Sequence, residues 1–147
     1  MGFDGAIKQN GKNPILTYLK ESNADILCLQ EYSTTESSRH LSQKDVEQEL
    51  KAYPYHRINT VGREKGHTNK IACYSKYPIL SARVLDYSSE YNGSVLYEVK
   101  IGEDTVTLIN NHLESNKLTK ADKAVYENML KSPEKEKGEK RYAPAHT

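Results

Sequence analysis

Two short segments end in residues able to do chemistry. The first, Ala24-Asp25-Ile26-Leu27-Cys28-Leu29-Gln30-Glu31, is an apolar run closed by an amide and a carboxylate. The second, Thr105-Val106-Thr107-Leu108-Ile109-Asn110-Asn111-His112-Leu113-Glu114, alternates apolar and polar residues before it closes on an imidazole. Alternate residues of an extended chain share a face. Val106, Leu108, Asn110 and His112 therefore line one side, which turns from apolar to polar toward its end. Strand ends are rigid, and a ligand can approach from beyond them. A carboxylate there suits Mg2+, which keeps most of its waters and needs only one or two protein carboxylates. Glu31 is accordingly a candidate metal ligand. His112 can hold a proton or donate to an anionic oxygen, and Asn110 can contact the same anion. These two are the candidate catalytic residues. Taken singly, each segment has a structural explanation too: an acid marking a strand's return to water, or a histidine bonded locally.

Those ends need elements behind them. Asn13-Pro14 predicts a helix start, with Asn as N-cap and Pro at the first helical position. Ile15, Leu16 and Leu19 share one face of that helix, which should end near Asn23. Ile26-Leu27-Cys28-Leu29 is continuously apolar, as in a central strand covered on both faces. The stretch 32–40 reads as a loop. A second helix is expected from Ser42 to about Ala52, opened by a Ser42/Asp45 capping box and a Leu41/Val46 staple and stopped before Pro54. Strands follow near 55–61, 70–76, 79–87, 94–101 and 105–112, with breaks at Gly66, Pro78, Asn92-Gly93 and Gly102. Such close spacing predicts antiparallel neighbours. Thr119 is placed to cap a last helix with an Ala121, Val125, Met129 stripe, and 132–147 read as a charged tail or linker. The pattern as a whole predicts a mixed α/β layered fold.

Composition narrows the function classes. The 147 residues suit one domain, with 36% apolar and 28% charged residues and eleven Tyr against one Phe. A net charge of +1 gives no support to a broad basic nucleic-acid face. Lys65, His67 and Lys70 form a local basic cluster able to attract phosphate, although a solvated loop is the simpler and favoured explanation. Cys28 and Cys73 lie in apolar runs and are expected to be buried free thiols. Two cysteines in a chain this long do not make a disulfide framework. Cys28, Cys73, His40, His67 and His112 lack the paired spacing of zinc motifs. A Cys28 nucleophile is disfavoured because an apolar run makes its thiolate costly. No apolar stretch approaches the roughly 20 residues of a membrane span. Residues 1–11 show no signal-peptide pattern, which taken literally means a cytoplasmic protein.

The segments "ADILCLQE", "NKIACYSKYPIL" and "VTLINNHLES", in that order, resemble the endonuclease/exonuclease/phosphatase superfamily. Its members include pancreatic-type deoxyribonuclease, abasic-site endonucleases, sphingomyelinases and inositol polyphosphate phosphatases. The resemblance covers roughly 14–131. It implies a four-layer αββα sandwich of mainly antiparallel strands and a metal-dependent hydrolase of phosphoester bonds. Glu31 matches the glutamate that holds Mg2+, with Mn2+ as a substitute. His112 matches the histidine that meets the scissile phosphate, and Asn110 its supporting asparagine. Nucleic acid, phospholipid and small phosphate esters are the implied substrates. The acidic partner of the histidine falls near Asn69 and Lys70, neither of them acidic, and Glu64 is the nearest substitute.

The departures are as informative. The family begins with a strand ending in an active-site asparagine, and this sequence starts at Met1-Gly2-Phe3, where that strand has finished. The later "G-D-x-N" and "S-D-H" motifs are missing, and Asp122 and His146 lie in other contexts. The reading is a truncated, incomplete domain over 1–131 with about half of a catalytic constellation. Little or no phosphoesterase activity is expected of it alone, because groups that act as a unit fail together. A partner chain supplying the missing half in trans would complete it. The alternative is a non-catalytic binding or interaction module that keeps the fold.

Overall fold

The computed structural model describes residues 12–36, 39–62, 69–85, 92–113 and 120–131. It forms two compact units, Met1–Glu114 and Ser115–Thr147. In the first, chain order runs α1 (Pro14–Ser22), β1 (Ile26–Leu29), α2 (Gln43–Glu49), β2 (Tyr55–Val61), β3 (Asn69–Ser75), β4 (Ile79–Leu85), β5 (Gly93–Ile101) and β6 (Asp104–His112). The second contains α3 (Lys120–Lys131), which has no buried residue. Its expected cap, Thr119, lies outside the described residues, as do Glu64, Lys65, His67 and the tail 132–147.

The helix starts follow from their caps. Asn13 Oδ1 accepts from the Ile15 and Leu16 amides at 2.9 and 3.2 Å. Pro14 occupies the first helical turn, and Asn23 closes α1 in the left-handed region at φ 50°. In α2, Ser42 Oγ accepts from Asp45 N while an Asp45 carboxylate oxygen accepts from Ser42 N, a complete capping box. It satisfies two backbone donors that the helix itself leaves unbonded.

The strands form two antiparallel sheets, ordered β1-β3-β2 and β4-β5-β6. Side-chain alternation then builds the layers. Leu27, Ala72 and Tyr74 face outward from the first sheet and pack with Leu16, Leu41, Val46 and Leu50 of the helical layer. Val61, Ile71 and Cys73 face the other way, against Ile79, Val95, Tyr97 and Val99 of the second sheet. The helix, sheet, sheet order is that of an incomplete αββα sandwich. The Arg57 guanidinium ties the sheets together by donating to the Ile79 carbonyl at 3.0 Å. The hairpin joining β5 and β6 places Gly102, φ 61°, at the first of two central positions, where a type II′ turn requires positive φ.

Two expectations need correction. The continuous apolar run Ile26–Leu29 predicted a central strand, yet among the described residues β1 pairs only with β3, and Cys28 is exposed. Gly93 was expected in a break, but it is the first residue of β5. A Cβ there would lie 2.3 Å from Val61 Cβ. Glycine is needed because the two sheets approach closely, a role it takes inside strands.

Candidate active site

The site is built by a turn at the end of β1. Alternation points Ile26, Cys28 and Gln30 toward the second sheet. The Lys76 amide bonds the Asp25 carbonyl at 3.0 Å, and pairing proceeds in register to Leu29 and Ala72. Regular pairing would next join Glu31 to Lys70. Instead the Tyr32 amide bonds the Lys70 carbonyl at 2.9 Å, so one extra residue has entered β1's side of the ladder. Such an insertion re-aims a side chain. Glu31 takes up the change at a φ of 50°, a conformation that costs a non-glycine residue on the order of 1–3 kcal/mol.

The neighbours of Glu31 hold that turn from both sides. Tyr32 is buried, and its hydroxyl donates to Gln43 Oε1 at 2.5 Å. Gln43 Nε2 donates to the Tyr74 hydroxyl at 3.0 Å, which leaves the Tyr74 proton for the Tyr32 oxygen 2.8 Å away. The three groups thus close a ring of hydrogen bonds between α2, β3 and the turn. Burial pushes both tyrosine hydroxyls above their ordinary range. On the other side, Gln30 Nε2 donates to Asn110 Oδ1 at 3.5 Å and to the Asn111 carbonyl, bridging the first sheet to β6.

That bridge brings the two chemistry-bearing segments together. Glu31 Oε1 lies 3.6 Å from His112 Nε2, with the carboxylate side chain 51% and the imidazole 13% exposed. The acidic neighbour that the sequence did not supply for His112 is Glu31 itself. His112 pairs across β5 with Gly93, the point of close sheet approach. Asn110 is buried, and its Nδ2 has no protein partner among the described residues. Because Oδ1 receives Gln30, the unpartnered atom is a donor, suited to water or an anionic oxygen. Lys70 is exposed at the start of β3, beside the turn. A recess of about 150 Å3 lined by Lys12, Thr17, Asp45 and Glu49 lies between the helices and includes neither Glu31 nor His112.

Among the described residues no three His, Cys, Asp or Glu side chains converge as a metal cluster. The half-exposed Glu31 carboxylate is nevertheless the donor type Mg2+ takes. An ion held by one carboxylate and mostly by water is ordinary for Mg2+ and foreign to structural zinc. Gln30 and Tyr32 were given no role in the site from sequence, and Gly93 only that of a break between strands. Period two along Ile26, Cys28 and Gln30 was the available signal for Gln30. The roles of Tyr32 and Gly93 depend on partners far along the chain.

Residues 4–136 match the family described as Endonuclease/Exonuclease/phosphatase family. Among solved structures, truncated TDP2 from Caenorhabditis elegans aligns at 24% identity and a TM-score of 0.48, covering 81% of this chain and 49% of that one. A second TDP2 structure from the same organism aligns at 24% identity and 0.47, covering 90% and 43%. The chain thus spans less than half the length of the structures it resembles. No curated protein matches it. No helix among the described residues is long and apolar enough to cross a membrane.

Proposed function

The chain belongs to the Endonuclease/Exonuclease/phosphatase family, and from that premise we propose that it supplies the metal-binding and phosphate-binding side of a phosphoester-cleaving site. The observation that carries this reading is the 3.6 Å approach of Glu31 to His112 at the common mouth of two strands, each reached from a different sheet. Glu31 holds Mg2+ or Mn2+, which when bound offsets the negative charge of the phosphoester. His112 donates from the imidazole to a phosphate or leaving-group oxygen. Asn110 supports the floor, with its amide oxygen fixed by Gln30 and its buried Nδ2 a donor unpartnered among the described residues. The sequence has no "G-D-x-N" or "S-D-H" motif to orient an attacking water, so the 147-residue chain by itself turns over slowly.

The test is release of p-nitrophenol from bis(p-nitrophenyl) phosphate and p-nitrophenyl phosphate, with and without Mg2+ or Mn2+. Slow, metal-dependent release that Glu31→Gln and His112→Ala each abolish is expected. Release that survives both substitutions removes Glu31 and His112 from the chemistry. Metal binding with no release in any condition favours a binding module on the same fold.

A further inference from the structure

The two cysteines, 45 positions apart in sequence, stand directly opposite each other across the β1–β3 ladder. The kind of pair they form follows from the hydrogen bonds. The Lys76 amide bonds the Asp25 carbonyl, which makes that opposed pair a hydrogen-bonded one. Antiparallel pairs alternate, so Ile26/Ser75 is non-bonded, Leu27/Tyr74 bonded and Cys28/Cys73 non-bonded. In the non-bonded type the Cα atoms lie about 4.5 Å apart and the side chains draw closer. Disulfides span Cα separations of about 4.4–6.8 Å, so the bridge needs no backbone rearrangement. Both side chains lie on the same face of the sheet. Cys28 is exposed and Cys73 is buried.

We infer that Cys28 and Cys73 form a reversible dithiol–disulfide site that takes small-molecule disulfides as its oxidant. The Cys28 thiolate attacks one sulfur of the small disulfide, forms a mixed disulfide and expels one thiolate. Cys73 then attacks Cys28 Sγ, giving up its proton, and expels the second. The net change is two protein thiols and one small disulfide converted to one protein disulfide and two small thiols. The sites differ in the way the sequence of steps requires. Cys28 is reachable from solvent, and the hydrogen bond from Cys73 holds its thiol below the ordinary range against the opposing effect of burial. Cys73 is unreachable by an external disulfide, and its hydrogen bond to Cys28 and its burial keep it protonated. It acts only when Cys28 has brought the mixed disulfide to it. Cys28 is exposed, and an exposed bridge is the more readily reduced. The expectation that Cys28 is a buried, inert thiol therefore fails at the exposed edge of β1. The site begins three residues before Glu31 but does not depend on the phosphoester reading.

The experiment is incubation of the native protein with glutathione disulfide, followed by alkylation and peptide mass analysis. Expected is loss of both alkylatable thiols, a chain lighter by two hydrogen atoms, and a linked Cys28–Cys73 peptide that reduced glutathione cleaves. Cys73→Ser should stall with glutathione on Cys28. Cys28→Ser, a change at an exposed position that leaves the core intact, should leave Cys73 reduced while the protein is folded. Wild-type chain that holds glutathione on Cys28 with Cys73 still alkylatable overturns the proposal. So does oxidation that occurs only between chains or only in denaturant.

Discussion

Glu31 sits in the left-handed region at φ 50° without being glycine, and nothing in its own chemistry favours that. The conformation persists because Gln30 is tied to β6 and Tyr32 to α2 and β3. Strain held this way is a mark of a side chain kept for its position. Glu31→Gly should therefore stabilise the fold by about 1 kcal/mol, read as a higher denaturation midpoint, while weakening divalent-ion binding. Destabilisation would mean that the turn is not strained. The identity of Glu31, His112 and Asn110 as candidates was legible because a short strand read at period two places its polar end on one face. Their mutual arrangement was not. The carboxylate beside His112 was sought near Asn69, yet it comes from a residue 81 positions upstream of the imidazole, and only the packing of two sheets supplies it.

Gly93 and Val61 set the distance between those sheets at the end where His112 lies. A methyl group at Gly93 would meet the Val61 side chain 2.3 Å away, with β5 and β2 both held in ladders. Gly93→Ala is expected to cost about 1–3 kcal/mol, the range for overpacking a well-filled core, and to shift the His112 resonances, measured by denaturant melts and by NMR. A neutral effect on both would show that the sheets part easily. Local chemistry made most elements readable in advance. Asn13-Pro14, Ser42 with Asp45, and Gly102 each act within a few residues of themselves. The close-approach glycine, the extra residue before Tyr32, and the order β1-β3-β2 all involve residues distant in sequence, and a local pattern carries no trace of them.

Across the first unit, tyrosines fill places where phenylalanine would be the simpler choice. Tyr32, Tyr74 and Tyr97 are buried, and burial is the largest cause raising the pKa of each. In the unfolded chain these hydroxyls ionise near their ordinary value of 10, while in the folded chain they keep their protons above it. Above pH 10 the unfolded state therefore binds fewer protons, and stability is lost as pH rises. Each such group removes up to roughly 1.4 kcal/mol per pH unit within that window. Below it the three contribute no pH dependence. Denaturant melts on either side of pH 10 should show this fall, with tyrosinate absorbance rising together with the loss of secondary structure. Ionisation of all three in the still-folded protein would contradict their burial. The layered α/β class was readable from the run of strands between helices. Which face of each sheet would be covered was not, because that depends on which layers meet.

The juxtaposition of Glu31 and His112 is a property of both sheets together, and the functional proposal rests on it. Mn2+ shortens the relaxation of nuclei near it, so titrating Mn2+ into 15N-labelled protein while observing the His112 ring and Asn110 side-chain resonances tests it directly. Both sets of signals should broaden early in the titration, and Glu31→Gln should abolish that broadening while leaving the spectrum of the rest of the fold intact. Broadening confined to other carboxylates, or unchanged by Glu31→Gln, would contradict the account.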